Sequence, residues 1–203
     1  MLISTTTPNP TRSTLASLRA LIPDRRLNRH EIHQLTERQA TRLRAHLGEQ
    51  DDPFFDEAKL RELPRIRVEW DADLPTSGMT VWDGDCWVLA VNSSESATRQ
   101  RFSLLHEFHH AVSHAVKHRL FDHTCTHGHC QFAERTADHF AACVLMPKML
   151  VKRHWGRGPR SIHCMAELFG VSPQAMSYRL RDLGLLEERR RCSRKTHGKP
   201  NAR

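Results

Sequence analysis

The segment that most constrains the fold of this chain is residues 101–110, which read RFSLLHEFHH. It contains His106, Glu107 and His110 with the spacing HExxH. On an α-helix, residues four apart lie about 40° apart around the axis, so both imidazoles can reach one cation. Glu107 is expected close enough to reach a water on that cation without being a ligand. Two His ligands and a neighbouring carboxylate base are the groups that zinc-dependent hydrolysis requires.

The residues around the motif predict a helix of about twenty residues. Leu105, Phe108, Val112 and Val116 fall on the face roughly opposite the two His residues, which gives a packed side and a chemical side. Ser96 is placed to cap the start of this helix, after a strand-like run. The HExxH pair is therefore expected on an amphipathic helix.

A catalytic zinc site needs a third protein ligand and an open position. The metzincin pattern would place Gly at position 113 and His at position 116, but the chain has Ser113 and Val116, so that class is excluded. Residues 134–147 predict a second helix instead, with Glu134 and Asp138 four residues apart on one face. Glu134 can bind zinc, and Asp138 can accept a hydrogen bond from a His ligand. A solvated acidic face is the alternative interpretation of this pair.

These two segments resemble the motifs of the ImmA/IrrE family of metallopeptidases. That family typically shows RFTxxHExxH followed by ExxANxFAAxLLMP, and this chain has RFSLLHEFHH followed by ERTADHFAACVLMP. The resemblance extends over residues 65–187, with the two long motifs in the same order. The chain departs from the pattern at Asp138, where Asn is usual, and at Phe108 and His109, where a small residue and Gly are usual. A carboxylate at position 138 still accepts the same hydrogen bond.

The resemblance implies a gluzincin-like zinc metalloendopeptidase. It assigns His106, His110 and Glu134 as zinc ligands, Glu107 as the catalytic base, and Asp138 as the partner of a ligand His. The implied fold is α+β and zincin-like, with a small antiparallel or mixed sheet packed on the HExxH helix and mainly helical N-terminal and C-terminal parts. The implied substrate is a cognate helix-turn-helix repressor, whose site-specific cleavage would relieve repression of a mobile element or a stress response.

The chain divides into four expected parts: a helical N-terminal segment (1–60), the metallopeptidase core (61–155), a helix-turn-helix-like element (156–188) and a basic disordered tail (189–203). In the first part, Asn28 and Glu31 form a capping box that opens a helix ending at about Leu47. This helix carries an apolar stripe that includes Ile32 and Leu35. A shorter amphipathic helix is expected at residues 11–21.

Three strands are expected before the metal helix. Alternation of Ile66, Val68 and Trp70 predicts the first, and residues 79–82 and 85–91 predict a β-hairpin across a tight turn at 83–84. One of these strands is expected to lie beside the metal helix and to hold an extended peptide by strand addition.

Residues 161–184 predict a helix, a tight turn and a second helix. Ser172 is the expected N-cap, Pro173 the first helical residue and Gly184 the stop. In a helix-turn-helix the second helix would present four polar side chains outwards, namely Gln174, Tyr178, Arg179 and Arg181. DNA contact through 172–184 is one interpretation. Packing of this element against the peptidase domain is favoured, because the helix has only two cations and a nearby acid, Asp182.

Two further groups of residues are candidates for the chemistry. His109, His154 and Tyr178 are candidate donors to the oxyanion of the reaction. Between the two motifs, Cys125, His127, His129 and Cys130, with His123 nearby, would suit a second, structural zinc ion. An exposed loop is the alternative for that segment.

The formal net charge of +8 is concentrated in the tail. Seven of the 31 Lys and Arg residues lie in 189–203, which leaves 24 against 23 acidic residues in the rest of the chain. The tail is a candidate for electrostatic contact with nucleic acid, although a solvated tail is favoured. No apolar run reaches the length of a membrane span, and residues 1–10 lack a signal-peptide pattern, so a cytoplasmic protein with reduced cysteines is expected. The alternative function is a non-enzymatic, DNA-binding transcription regulator with a structural zinc.

Overall fold

The computed structural model describes residues 13–120, 131–158 and 160–186, which form an α+β fold. The helices are α1 (Thr14–Arg19), α2 (Arg29–His46), α3 (Ala97–Ser113), α4 (Lys117–Leu120), α5 (Gln131–Leu145), α6 (Lys148–Arg157), α7 (Ile162–Phe169) and α8 (Pro173–Asp182). The strands are β1 (Ile66–Asp71), β2 (Gly78–Trp82) and β3 (Trp87–Asn92), and short 3-10 helices occupy Glu57–Glu62 and His114–Val116.

Helix α2 begins at the predicted capping box. The Asn28 side chain accepts a hydrogen bond from the backbone N–H of Glu31, and the Glu31 carboxylate accepts one from the N–H of Asn28, both at 2.9 Å. This reciprocal pair satisfies two N–H groups at the helix start. The apolar residues of α2, among them Ile32, Leu35 and Leu43, are buried. The N-terminal helices therefore pack onto the rest of the described chain, and α2 lies along α5.

The sheet is mixed and has the strand order β1-β3-β2. The central strand β3 pairs in parallel with β1 and antiparallel with β2. Its residues Trp87, Leu89 and Val91 are buried and belong to the main core. The predicted two-residue turn at 83–84 is wrong: residues 83–86 form the connection, because the Asp83 carboxylate accepts the N–H groups of Asp85 (3.0 Å) and Cys86 (2.8 Å).

Helix α3 lies between the sheet and α5. It begins after Ser96 as predicted, although the Ser96 hydroxyl makes no capping hydrogen bond. Its inner residues, including Leu105, Phe108 and Val112, are fully buried, and the Phe108 ring lies 6.2 Å from that of Phe140 on α5. The expected architecture, a small sheet packed on the HExxH helix with helical flanks, is confirmed. No helix in the described parts is long and apolar enough to cross a lipid bilayer.

The C-terminal helices form the predicted helix, turn and helix. The Ser172 hydroxyl accepts a hydrogen bond from the N–H of Ala175 (3.1 Å), and Pro173 is the first residue of α8. The expectation that Arg179 points outwards is wrong. Arg179 is 4% exposed, and it donates to the Met146 carbonyl at 3.0 Å and to the Asp182 carboxylate at 2.8 Å. Helix α8 is thus fixed to the end of α5. Helix α6 was not predicted from the sequence, and the tail at 189–203 lies outside the described residues.

Arg101 ties three separate segments of the chain together. Its buried guanidinium donates to the Glu57 carboxylate (2.8 Å), to the Phe55 carbonyl and to the Gly170 carbonyl (2.6 Å) in the turn between α7 and α8. It also lies 4.0 Å from the centre of the Phe54 ring. Charge-assisted hydrogen bonds to buried carbonyls are costly to break, because the carbonyl oxygen would then have neither a donor nor water as a hydrogen-bond partner.

The turn at Gly170 should tolerate no side chain, whereas Gly184 provides a matched control. Both have positive φ, +61° and +68°, but a Cβ at Gly170 would lie 1.9 Å from Arg101 Nη1 and 2.6 Å from the Phe54 ring, while a Cβ at Gly184 meets no atom within 4 Å. We expect Gly184→Ala to lower the free energy of unfolding by about 1 kcal/mol and Gly170→Ala by about 3 kcal/mol, measured by urea denaturation. Equal losses would contradict this account of the turn.

Candidate metal centre

His106, His110 and Glu134 converge from helices α3 and α5 on one point. The Nε2 atoms of the two His residues lie 3.0 Å apart. Glu134 presents Oε2 at 3.1 Å from His106 Nε2 and Oε1 at 3.5 Å from His110 Nε2. The His side chains are 16% and 19% exposed and that of Glu134 is 44% exposed, so the cluster is open to solvent on one side. One atom from each residue is thus placed to hold a metal ion.

Asp138 fixes the orientation of the first His ring. Its Oδ1 lies 2.9 Å from Nδ1 of His106, one helical turn beyond Glu134 on α5. A carboxylate only accepts, so Nδ1 carries the hydrogen and the neutral ring has its lone pair on Nε2. That lone pair faces a carboxylate oxygen and a second imidazole nitrogen. Three acceptor atoms crowded together are stable only with a proton or a cation among them, and the donor set fits a divalent metal.

The surroundings of the cluster shift the pKa values of His106 and His110 in opposite directions. Burial alone would lower the pKa of His106, but its hydrogen bond to Asp138 and the charges of Glu107, Asp138 and Glu134 raise the pKa. The pKa of His110 is lowered by burial and by the neighbouring charge of His106. Protonation of His106 therefore disfavours protonation of His110.

Glu107 lies next to the cluster but is not one of its potential metal ligands. The side chain is 9% exposed, and the Thr80 hydroxyl oxygen lies 2.6 Å from Glu107 Oε2 and 2.8 Å from the Glu107 backbone carbonyl, so its hydrogen serves one or the other. Gly78 leaves room for the same side chain, since a Cβ there would lie 2.8 Å from Glu107 Cγ. A carboxylate near the metal that is not a ligand is placed for proton transfer.

Thr80 and Gly78 were missed by the sequence analysis. Both lie on β2, in a hairpin arm that shows only a short apolar run, and neither belongs to a motif with known spacing. The one available signal was Gly78 at the start of that strand, because a glycine in a strand often marks the close approach of another group. The contact with Glu107 itself depends on how the sheet packs on α3.

The three candidate oxyanion donors lie in different surroundings. His109 is 1% exposed and its ring packs 4.9 Å from that of Phe140, so it faces the core and we do not retain it as a donor. Burial lowers its pKa to about 3, which keeps the ring neutral. His154 packs edge-on against Phe169, and Tyr178 is 62% exposed on α8. Neither His154 nor Tyr178 hydrogen-bonds to a member of the cluster within the described chain, and their role stays a prediction.

The second predicted metal site, at Cys125, His127, His129 and Cys130, lies outside the described residues. Cys86, Cys143 and Cys164, which the structure does describe, are free thiols. A cavity of about 660 Å³ is lined in part by Asp138, although none of the three potential ligands lines it. It extends to Phe102 on α3 and to Tyr178 on α8, so the helix-turn-helix-like element forms one wall of the space beside the candidate centre.

Comparison with solved structures supports the fold. A Mycobacterium tuberculosis transcriptional regulator is similar, with a TM-score of 0.50 and 18% sequence identity over 83% of this chain and 52% of that chain. This chain spans about half the length of that protein, and a likeness at this identity concerns the fold alone. No curated protein matches the sequence significantly.

A family model agrees with the motifs. Residues 66–181, more than half of the chain, match the model of peptidase M78, described as the IrrE N-terminal-like domain. The match contains all of the cluster on α3 and α5, together with the strands that position Glu107. The resemblance of the two motifs to ImmA/IrrE proteins is thereby confirmed, and the chain belongs to the peptidase M78 family of IrrE N-terminal-like domains.

Proposed function

We propose that this protein is a zinc-dependent endopeptidase that hydrolyses a peptide bond in a specific protein partner. The observation that carries the proposal is the separation of roles within one small site. Three side chains, His106, His110 and Glu134, offer ligand atoms to one ion, while Glu107 lies beside them and is held by other contacts. A purely structural zinc site would be closed by a fourth protein ligand. Within the described residues, no fourth side chain joins the cluster of potential ligands.

Each residue has a distinct part in the proposed hydrolysis. When bound, zinc supplies a Lewis acid that polarises the scissile carbonyl and lowers the pKa of a water molecule. Asp138 keeps the hydrogen of His106 on Nδ1, so that Nε2 stays available as a ligand atom. Thr80 lies 2.6 Å from Oε2 of Glu107 and helps to position the carboxylate, which accepts a proton from the attacking water and delivers it to the leaving amine.

The substrate is proposed to be an extended peptide bound along β2. Within the described sheet, β2 pairs only with β3, so no described strand pairs with its other edge. The Gly78 carbonyl at the start of β2 accepts a hydrogen bond from the Thr76 hydroxyl at 2.8 Å. The same strand contacts α3 through Thr80. An added strand would gain backbone hydrogen bonds along this edge, which is how many domains bind peptides without strict sequence requirements. Trp82, which is 42% exposed at the end of β2, offers an apolar contact for a side chain.

We infer that the partner is a helix-turn-helix transcriptional repressor, so that cleavage relieves repression. Support comes from the motif resemblance and from the similar fold of a protein named as a transcriptional regulator. The alternative, non-enzymatic DNA binding with a structural zinc, is less well supported. Of the two cations on α8, Arg179 is buried against Met146, and Arg181 lies 5.8 Å from the exposed Tyr178 ring. A reading helix with one available cation is a poor match for a phosphate backbone.

Zinc affinity should depend on the hydrogen bond to His106. Asp138→Ala removes the acceptor, and we expect the zinc dissociation constant to rise by about 10–100-fold. Asp138→Asn keeps an acceptor oxygen and should lie much closer to the parent. The measurement is competition with a chromophoric chelator. If the Ala and Asn variants bind zinc as tightly as the parent, Asp138 has no role in arranging the site.

Glu107→Gln should remove cleavage while it leaves the metal in place. The variant keeps the shape of the side chain and loses the proton acceptor, so we expect the cleavage rate to fall by about 10²–10⁴-fold. The experiment incubates the zinc-loaded protein with the product of a neighbouring repressor-like gene, with and without a chelator, and measures intact masses. A folded, zinc-loaded Glu107→Gln protein that cuts the repressor at the parent rate would refute the proposed mechanism.

Thr80→Val should slow the reaction without affecting zinc binding. The substitution keeps the volume and removes the hydroxyl that holds Glu107. A hydrogen bond to a charged group contributes about 1.5–3 kcal/mol, so we expect the cleavage rate to fall about tenfold or more. The zinc affinity of the same preparation is the internal control, because Thr80 does not contact the three ligand residues. Loss of zinc together with loss of cleavage would show that Thr80 supports the fold of the site instead.

A further inference from the structure

We propose that His33, Glu37 and His139 form a second binding site for a divalent transition metal, separate from the candidate catalytic centre. Each residue offers one ligand atom, and these atoms all lie within 4.8 Å of one another. His33 is exposed, while Glu37 and His139 are half-buried, so an ion can enter from solvent. His33 and Glu37 lie outside the two motifs that carry the proposed peptidase function, and His139 lies within the second motif at a position where the family pattern specifies no residue.

Helix geometry explains why the three side chains meet. His33 and Glu37 are four residues apart on α2 and therefore lie on one face. Helix α5 lies along α2 and contributes His139. On α5, His139 follows Asp138 and is turned about 100° around the axis from it. One helix thus presents Glu134 and Asp138 towards α3, and His139 towards α2.

The donor set suits zinc and its neighbours in the first transition series. Two imidazoles and one carboxylate form a common ligand set for Zn²⁺, Co²⁺ and Ni²⁺, whereas Ca²⁺ and Mg²⁺ prefer oxygen atoms alone. Burial lowers the pKa of His139 to about 4, with further lowering from His33 and Arg179. The ring is therefore neutral near pH 7, which is the form that binds a metal.

The neighbouring groups leave room for a positive ion. The charge of Arg179 acts on His139, but Arg179 is paired with Asp182 at 2.8 Å. The Cys143 sulfur lies 3.4 Å from His139 Nε2, and burial raises the pKa of this thiol to about 11. We leave Cys143 out of the ligand set, because the group of mutually close ligand atoms consists of His33, Glu37 and His139 alone. The rings of His33 and His139 are stacked, with their centres 3.5 Å apart, so one ring must turn before the in-plane lone pairs of both can meet at one ion. In the alternative interpretation no ion binds and the stacked pair is retained.

A metal at this position would link α2 to α5. Helix α2 and the N-terminal segment otherwise depend on apolar packing and on a few hydrogen bonds to the core, such as that from Arg44 to the Val144 carbonyl at 2.7 Å. An ion held by both helices stabilises whichever arrangement of α2 and α5 brings the ligands together. An ion at this second site would thus have a structural role, whereas the ion at the first site has the proposed catalytic role.

The experiment isolates this site from the two other candidates in the full-length chain. A background protein carries His106→Ala, His110→Ala, Cys125→Ser and Cys130→Ser. We expect it to bind one Zn²⁺ per chain by native mass spectrometry, and to show the visible absorption of protein-bound Co²⁺ when that ion is added instead. In this background Glu37→Gln and His33→Ala should abolish both signals. His30→Ala, on the same helix and hydrogen-bonded only to Gln34 at 2.9 Å among the described residues, should leave both signals unchanged.

Thermal unfolding supplies a readout that does not depend on peptidase activity. Added Zn²⁺ should raise the melting temperature of the background protein and of its His30→Ala version, but not that of its His33→Ala version. A folded background protein that binds no Zn²⁺ overturns the proposal, as does Zn²⁺ binding that survives both His33→Ala and Glu37→Gln. Failure of the catalytic site would appear differently, as an equal Zn²⁺ content in the parent and in a protein carrying only His106→Ala and His110→Ala.

Discussion

The packing of α3 against α5 is the interaction on which the rest of this structure depends. Phe108 and Phe140 lie at the centre of the contact, and both are fully buried. A helix that buries one face must present the opposite face at a fixed angle, so the same packing directs His106 and Glu134 towards each other. Apolar burial holds the two helices together, and the polar residues of the cluster contribute little to that packing. Ligand atoms from distant segments, His106 Nε2 and Glu134 Oε2, therefore lie 3.1 Å apart.

Two buried arginines show how basic residues serve the fold here. Arg101 and Arg179 are 6% and 4% exposed, and both donate to backbone carbonyls that a turn or a helix end would leave unpaired. Arg101 holds the turn between α7 and α8, and Arg179 holds the middle of α8 to the carbonyl of Met146. The helix-turn-helix-like element is thereby attached to the metal-bearing helices at two points. Its shape is shared with DNA-reading domains, but Arg179, one of the two cations on α8, faces inwards.

The sequence predicted the parts of the fold that are local. The capping box at Asn28, the N-cap at Ser172 and the amphipathic faces of α3 and α5 all follow from short-range periodicity and hydrogen bonding. It could not predict contacts between segments far apart in the chain. Arg179 has the spacing of an outward residue, and only the position of Met146 shows that it is buried. The contact between Thr80 and Glu107, and the meeting of His33 with His139, depend likewise on how whole elements pack.

Strand β2 links the chemistry to the substrate. It supplies Thr80 and Gly78, which position Glu107, and its free edge is where the proposed peptide binds. Side chains alternate along a strand, so Thr80 points to α3 while Met79 and Val81 point to the other face of the sheet. Backbone pairing at the edge is independent of either face. In the proposed binding mode, a peptide that pairs with β2 would therefore be held by the same strand that positions Glu107.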